Sequence, residues 1–195
     1  SLDTIEIDDK LFELITQNKK IMPHLHLSLQ SGDDLILKRM KRRHNRKDAI
    51  NFCNKIKTER PEVIFGADLI VGFPTETEYM FNQTLDLIEE CDLTFLHVFP
   101  YSSKKGTPAS RMPQVRKELI KQRTKTLNKI KNKKNLIHLS NSIGKDEEVL
   151  SETEFTGRAK NFTNVNFTKP QKIGEILKAV VVNKSSNSLI AEVKN

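Results

Sequence analysis

The chain has 195 residues, of which 36% are hydrophobic, and it carries a formal net charge of +8. A chain of this length can bury the core of one or two domains. No apolar stretch approaches the roughly 20 residues of a membrane span, and no signal peptide opens the sequence, so we expect neither membrane insertion nor secretion. Because the chain begins with Ser1 rather than Met, we also expect it to be a fragment of a longer protein.

Positive charge is concentrated in two segments. Residues 104–134 contain twelve Lys or Arg residues and one acidic residue, Glu118, and residues 38–47 form a second basic cluster. Charge concentrated in this way is typical of proteins that bind a polyanion, usually a nucleic acid. The alternative is a solvated, lysine-rich surface.

The two cysteines, Cys53 and Cys91, fall in helical patterns without a CxxC or CxxxC partner. We interpret both as buried free thiols, which indicates a reducing, cytoplasmic compartment. We therefore predict no metal-ligating residues in this chain.

The first part of the chain alternates helical and strand patterns. Asp8 or Asp9 is placed to cap the first helix. Residues 24–30 alternate leucines with polar residues, which predicts a strand with one apolar face and one polar face. In a closed barrel the inner face is polar where a substrate binds. A short helix over 35–40 follows, and then a longer helix that Asn45 caps and that ends before Pro61.

The most informative stretch is residues 68–76, an apolar run that ends in Gly72, Pro74 and polar residues. We interpret residues 63–73 as a buried strand, 76–91 as a helix and 94–101 as another strand. Strands that alternate with helices in this way predict right-handed βαβ repeats, too few for a full eight-unit barrel but enough for part of one. Functional groups would then lie at the C-terminal ends of the strands. An ordinary βα turn is the alternative interpretation of Gly72 and Pro74.

In the second part of the chain, the alternation of strands and helices gives way to one long helix and a series of short strands. Pro113 precedes a long basic helix over 114–139, and a domain boundary is expected between 138 and 144. Beyond Gly144, short alternating segments with Gly and Asn turns predict a small β-barrel. Its strands are expected over 147–150, 155–159, 163–167, 176–183 and 188–193.

Four strings, in order, closely resemble motifs of the radical SAM methylthiotransferases: residues 26–32 (HLSLQSG), 40–42 (MKR), 68–77 (DLIVGFPTET) and 97–109 (HVFPYSSKKGTPA). The last string is most similar to the branch that acts on N6-threonylcarbamoyladenosine in tRNA. Residues 155–162 (FTGRAKNF) resemble a segment of the TRAM domain that ends these enzymes.

The resemblance implies an α/β fold in three parts. Residues 1–112 would be the C-terminal part of a partial (βα)6 radical SAM barrel, 113–139 a basic connecting helix, and 140–195 a TRAM-like (OB-like) RNA-binding β-barrel. The family uses S-adenosylmethionine and two [4Fe-4S] clusters in the full-length enzyme, one of them on a CxxxCxxC loop. That loop is absent from this sequence, so the fragment is expected to be inactive alone, and its catalytic residues are unknown. The implied partners are the tRNA anticodon loop, S-adenosylmethionine and a sulfur donor.

Candidates for binding S-adenosylmethionine lie near the predicted strand ends: Gln30, Ser31, Gly32, Arg42, Asp68, Gly72, Pro74, Phe99 and Tyr101. Gln30 and Ser31 offer hydrogen bonds, and Gly32 permits close backbone approach. Arg42 suits a ligand carboxylate or an RNA phosphate. His97, Phe99 and Tyr101 share a face that suits either a ligand or a core.

Two acidic or hydroxyl positions of this region are ambiguous. Glu76 either caps the following helix or binds a ligand. Thr75 stands where the family usually has glycine, and threonine fits poorly if that position needs a positive φ.

The candidates for contacting RNA are Arg158, Lys160, Asn161 and Phe162 in the barrel, with Arg116 and Lys121 of the basic helix. Arg and Lys attract phosphates regardless of sequence, whereas Phe162 would either stack on an unpaired base or fill the core. The alternatives to the tRNA enzyme are a stand-alone RNA-binding module and a methylthiotransferase that acts on isopentenyladenosine tRNA or on a ribosomal protein.

Overall fold

The computed structural model describes residues 1–194. The chain divides into two compact units, one formed by Ser1–Ile21 and Leu25–Lys131 and the other by Met22–His24 and Asn132–Asn195. No helix among the described residues has both the length and the apolar composition needed to cross a membrane.

The first unit contains three strands separated by helices, as predicted. Its regular elements are α1 (Asp9–Gln17), β1 (His24–Gln30), α2 (Asp34–Arg39), α3 (Arg46–Glu59), β2 (Ile64–Val71), α4 (Glu78–Glu90) and β3 (Leu93–Pro100). Short 3-10 helices cover Thr4–Glu6 and Pro108–Arg111.

Side-chain caps fix where these helices begin. The Asp8 carboxylate accepts a hydrogen bond from the Leu11 amide at 2.8 Å, and Asn45 forms a reciprocal capping box with Asp48, so both predicted caps are confirmed. The α4 helix is capped by Thr77, so the alternative in which Glu76 caps it is excluded. The Glu76 side chain instead forms an ion pair with Arg123.

The three strands form a sheet in the order β1-β2-β3, with β2 and β3 parallel. The leucines of β1 point to one side and are at most 5% exposed, because they pack into a core shared with α3 and α4. The polar residues of β1 lie on the other face. The predicted two-faced character of this strand is therefore confirmed.

The long helix α5 spans Lys117–Ser142, which is 26 residues. It begins three residues later than predicted, because residues 113–116 form a loop in which the Pro113 carbonyl accepts a hydrogen bond from the Thr75 amide at 3.0 Å. Leu127 is buried in the core of the first unit, and Leu139 is buried in the core of the second.

The second unit contains the predicted small barrel. Its strands are β4 (Asp146–Ser151), β5 (Thr156–Ala159), β6 (Asn164–Phe167), β7 (Ile176–Lys184) and β8 (Leu189–Val193), closed in the order β4-β5-β6-β8-β7. Alternate side chains fill its centre, among them Val149, Val165 and Val181. Closure leaves no strand edge of the barrel unpaired.

Candidate functional site

The turn after β2 is built from left-handed backbone. Gly72 has φ +73° and Thr75 has φ +71°. A Cβ on Gly72 would also collide with the Ile120 side chain of α5. Glycine at 72 is therefore required twice, by the backbone conformation and by the approach of α5.

Thr75 adopts the left-handed conformation that its position in the family motif suggested. β-Branched residues rarely take this conformation, because the branched Cβ crowds the backbone. The residue is held there by its neighbours: its amide donates to the Pro113 carbonyl at 3.0 Å, and its hydroxyl contacts the Arg39 guanidinium. The turn thus keeps its shape around a residue that does not favour it.

Glu76 forms a buried ion pair with Arg123 of α5. The Glu76 Oε2 atom lies 2.8 Å from Arg123 Nη1 and accepts the Gly72 amide at 2.9 Å. The two side chains are 1% and 3% exposed, and Arg123 also reaches Glu78 and lies 5.2 Å from the Phe81 ring. Burial raises the pKa of the Glu76 carboxyl, against the lowering effect of the Gly72 amide and the arginine.

Sequence reasoning missed Arg123, although a signal was present. Arg123 lies four residues after Leu119 and four before Leu127, so it falls on the apolar stripe of a helix whose other faces are basic. A charged residue on an apolar stripe indicates a buried partner. Because the helix contains many other lysines and arginines, Arg123 was not distinguished from the exposed basic residues.

The end of β1 is tightly packed against α4. Ser31 is 1% exposed, and the Gly32 amide donates to the Thr84 hydroxyl at 2.9 Å. A Cβ on Gly32 would overlap the backbone of Gln83 and Thr84. The α4 backbone therefore makes a close approach to Gly32, which by itself accounts for glycine at this position. Gln30 has φ +66° at the strand terminus.

Arg42 is held inside the first unit. Its Nη2 atom donates to the Ser28 carbonyl at 2.7 Å and lies 3.1 Å from the Asp3 carboxylate. Its Nε atom is buried without a hydrogen-bond partner. The guanidinium thus has a structural role, with one donor left unsatisfied.

The aromatic residues at the end of β3 differ in exposure. Phe99 is 49% exposed, so it does not fill the core. Tyr101 packs edge-on against Phe73 at 5.3 Å, and its amide donates to the Val71 carbonyl at 2.8 Å. Phe99 therefore offers an apolar surface at the strand end, while Tyr101 joins the ends of β2 and β3.

Asp68 lies on the polar face of the sheet between two histidines. Its Oδ1 atom is 2.9 Å from His26 Nε2 on β1 and 3.3 Å from His97 Nδ1 on β3. Sequence reasoning did not connect the three, because they are separated by 42 and 29 positions and only strand register brings them together.

The residues present fit S-adenosylmethionine, but they do not fit an iron–sulfur cluster. The amide of Gln30, the second oxygen of Asp68 and the exposed Phe99 ring supply polar and apolar groups that a nucleoside with an amino-acid tail requires. The Ser31 hydroxyl is buried and accepts the Asp33 amide at 3.2 Å. Cys53 and Cys91 do not fit an iron–sulfur cluster. Both are buried free thiols, as predicted, and hydrogen bonding to Cys91 together with burial raises the pKa of Cys53.

An aromatic and a cation are paired on the barrel surface. Phe162 is 59% exposed, and the Arg158 guanidinium lies 4.5 Å from its ring centroid while also pairing with Glu152 at 3.1 Å. Phe162 thus does not fill the core. Lys160 is paired with Glu148, and the Asn161 side chain accepts the Thr163 amide at 3.2 Å. On the long basic segment, Arg116 and Lys121 are exposed.

Comparison with known proteins agrees with these features. Residues 1–88 match the radical SAM superfamily. The chain is 52% identical over 182 residues to a threonylcarbamoyladenosine tRNA methylthiotransferase, MtaB, of Rickettsia prowazekii, covering 93% of this chain and 43% of that protein. It is 35% identical to a tRNA-2-methylthio-N(6)-dimethylallyladenosine synthase of Oceanobacillus iheyensis, covering 94% of this chain and 37% of that protein.

A solved structure shares the fold. The radical SAM enzyme coproporphyrinogen III oxidase (HemN) of Escherichia coli superposes with a TM-score of 0.58 at 13% identity, over 96% of this chain and 49% of that chain. The chain spans less than half the length of the curated relatives it matches. On its motifs and its sequence identity, the chain is similar to the radical SAM methylthiotransferases, and its residues 1–88 match the radical SAM superfamily.

Proposed function

We propose that this chain is part of a tRNA methylthiotransferase that converts N6-threonylcarbamoyladenosine at position 37 of the anticodon loop to its 2-methylthio derivative by radical SAM chemistry. The observation that carries the proposal is the 52% identity, over 93% of this chain, to a protein named for this reaction. The second relative, named for a dimethylallyladenosine product, is 35% identical, so we prefer the threonylcarbamoyl branch. The proposal implies a cytoplasmic protein and a sulfur donor.

The first unit would contribute part of the S-adenosylmethionine site. In the proposal the cofactor lies along the strand ends, between Gln30 and Ser31 on one side and Gly72 and Pro74 on the other, with Phe99 and Tyr101 beside it. The Oδ2 atom of Asp68 has no hydrogen bond within residues 1–194 and is available to it. Gly32 and Arg42 would act indirectly, by fixing the end of β1. When bound, S-adenosylmethionine supplies the radical chemistry of the family.

The clusters must be supported from outside the residues described. Cys53 and Cys91 belong to the core of the first unit, so the ligands of the two [4Fe-4S] clusters proposed for the full-length enzyme would come from other parts of that enzyme. We therefore propose that the 195-residue chain has no activity alone. Reconstitution of this chain with iron and sulfide tests the point: cluster formation would contradict it.

The second unit would hold the tRNA, as a TRAM-like domain. The Phe162 ring is exposed and carries Arg158 on one face, which is an arrangement that stacks on an unpaired base and neutralises an adjacent phosphate. Lys160 and Asn161 of this unit would add positive charge and hydrogen bonds. Arg116 and Lys121, which belong to the first unit, are separate candidates for contacting RNA phosphates. The proposed division is 1–112 for the barrel part, 113–139 for the connecting helix and 140–195 for the RNA-binding domain.

The test is mass spectrometry of tRNA nucleosides from a strain in which the gene is deleted. Loss of 2-methylthio-N6-threonylcarbamoyladenosine, with accumulation of the nucleoside lacking sulfur, is the expected result. Loss of the isopentenyladenosine counterpart instead would move the substrate branch. An unchanged nucleoside profile would contradict the tRNA function and leave a ribosomal-protein substrate or an RNA-binding module.

The RNA-binding module is a second candidate, favoured by the absence of cluster ligands among residues 1–194 and by the exposed Phe162 and Arg158 pair. It predicts that the chain alone binds tRNA without modifying it, even when the rest of the enzyme is supplied. Restoration of the modified nucleoside by the full-length gene, but not by a version with this region deleted, would exclude a purely separate binding role.

A further inference from the structure

Three residues of metal-binding types, two histidines and an aspartate, converge on the polar face of the three-stranded sheet. His26 lies on β1, Asp68 on β2 and His97 on β3, one residue from each neighbouring strand. Asp68 and His97 are register partners in the parallel pairing of β2 with β3. One ligand atom from each of the three lies within 4.8 Å of the other two. We call these three residues the His-Asp-His cluster.

The separations within the cluster suit a bound transition metal. Zn²⁺ takes imidazole nitrogen and carboxylate oxygen at about 2.0–2.2 Å, so neighbouring ligand atoms of a tetrahedral or octahedral ion stand about 3–3.5 Å apart. Asp68 Oδ1 is 2.9 Å from His26 Nε2 and 3.3 Å from His97 Nδ1. The two imidazole rings have centroids 4.7 Å apart and are tilted by 38°.

The electrostatic setting also favours a cation. Asp68 forms no ion pair with a lysine or arginine within residues 1–194, and its recorded partners are the two imidazoles alone. The side chains of His26 and Asp68 are 19% and 23% exposed, whereas that of His97 is 56% exposed. The carboxylate is thus partly withdrawn from water, while the cluster remains open on the side of His97.

A pair of His–Asp hydrogen bonds is the alternative interpretation. In that state both imidazoles use an N–H toward the carboxylate, and no ion is needed. Two histidines and one carboxylate from three rigid strands, with an open side, are also the ligand set that non-haem Fe²⁺ and catalytic Zn²⁺ sites use. The alternatives make opposite predictions, because a metal requires a lone pair on each nitrogen that faces Asp68.

We propose that His26 Nε2, His97 Nδ1 and the Asp68 carboxylate bind one divalent transition-metal ion of the Zn²⁺ or Fe²⁺ class, with open positions on the exposed side of the sheet. This site is separate from the iron–sulfur clusters of the family and does not depend on the proposed function. It differs from the expectation in the sequence analysis that the chain contains no metal-ligating residues, which the titration below also tests.

The experiment is a titration of the 195-residue chain with Co²⁺ and then Zn²⁺. Visible d–d absorption reports the coordination of Co²⁺, and Zn²⁺ displaces it. We expect one equivalent to bind. His97→Asn and Asp68→Asn should each weaken the apparent affinity by at least ~10- to 100-fold, the loss usual even for residues that only support a ligand. The matched control is His24→Asn, two residues before His26 on the same strand face, which should leave the affinity unchanged.

A second measurement keeps the test independent of the variants' folding. Long-range ¹H–¹⁵N spectra of the wild-type imidazoles resolve the ring nitrogens of the five histidines. Addition of Zn²⁺ should shift one nitrogen each of His26 and His97 and leave His44 and His138 unchanged. Shifts at other histidines, no shift at all, or binding that survives both His97→Asn and Asp68→Asn would overturn the proposal.

Discussion

Removing the positive partner of Glu76 should loosen the first unit strongly and in a pH-dependent manner. In Arg123→Met, the Glu76 carboxylate stays buried with the Gly72 amide as its remaining donor. Breaking a buried ion pair on one side costs about 3–5 kcal/mol at neutral pH. Glu76→Gln should cost less, about 1–3 kcal/mol, because the amide oxygen can still accept from Gly72 and Arg123 keeps Glu78.

The double variant, Arg123→Met with Glu76→Gln, measures the interaction energy between the two side chains. With both charges removed, neither partner is left buried alone, so the combined cost should fall short of the sum of the single costs by about 2 kcal/mol. Hydrogen–deuterium exchange of peptides from β2 and α4 measures these free energies of opening. Peptides from the barrel strands β4 to β8 serve as the internal control and should not change.

The pH dependence follows from the sign of the pKa shift. Burial raises the pKa of Glu76 in the folded state above its ordinary value of 4.5. Protonation of Glu76 therefore contributes stability that is fully present at pH values below the ordinary pKa. That contribution is lost as the pH rises through the folded-state pKa. Arg123→Met removes a cation that lowers this pKa. The stability deficit of the variant relative to wild type should therefore be largest near neutral pH and shrink as the pH falls through the folded-state pKa of Glu76. Fully additive costs, or a deficit independent of pH, would refute the reasoning.

Three further predictions concern single positions. The Thr75→Gly variant should be more stable than Thr75→Ala by about 0.5–1 kcal/mol in urea unfolding, because φ at this position is +71°. At Lys129, which is exposed on α5, the order should reverse, with Lys129→Ala more stable than Lys129→Gly by about 1 kcal/mol. Gly32→Ala should destabilise by at least ~1–3 kcal/mol, since its Cβ meets the α4 backbone; an unchanged melting temperature would contradict this. Phe162→Ala should weaken binding to single-stranded RNA by about 1–3 kcal/mol without changing stability, while Tyr79→Ala, also exposed, should have no effect in the same fluorescence titration.

Local patterns in the sequence predicted the elements well. The leucine alternation of β1, the caps at Asp8 and Asn45, and the five short segments after Gly144 depend on interactions between residues close in sequence, so they are visible without the fold. The start of α5 was placed too early, because a loop contact with Thr75 overrides the helical pattern of residues 114–116.

Side-chain partnerships across elements could not be predicted in the same way. The sequence allowed two roles for Glu76, helix capping and ligand binding. Only the position of α5 shows that Glu76 forms an ion pair with Arg123 instead. The His-Asp-His cluster requires the register of three strands, which alternation within each strand does not determine. The resemblance raised the question of a positive φ at Thr75, because the family usually has glycine there, but only the structure shows that Thr75 adopts φ +71°.

The turn after β2 depends on residues that lie some 40 positions further along the chain. The Pro113 carbonyl holds Thr75, the Ile120 side chain fills the space beside Gly72, and Arg123 neutralises Glu76. A shortened protein ending at Met112 would contain every strand of the sheet and yet lack all three supports. We therefore expect the turn after β2 to lose its shape in a protein of that length. Substitutions at Pro113, Ile120 or Arg123 should accordingly disturb the turn after β2, although these residues are distant from it in sequence.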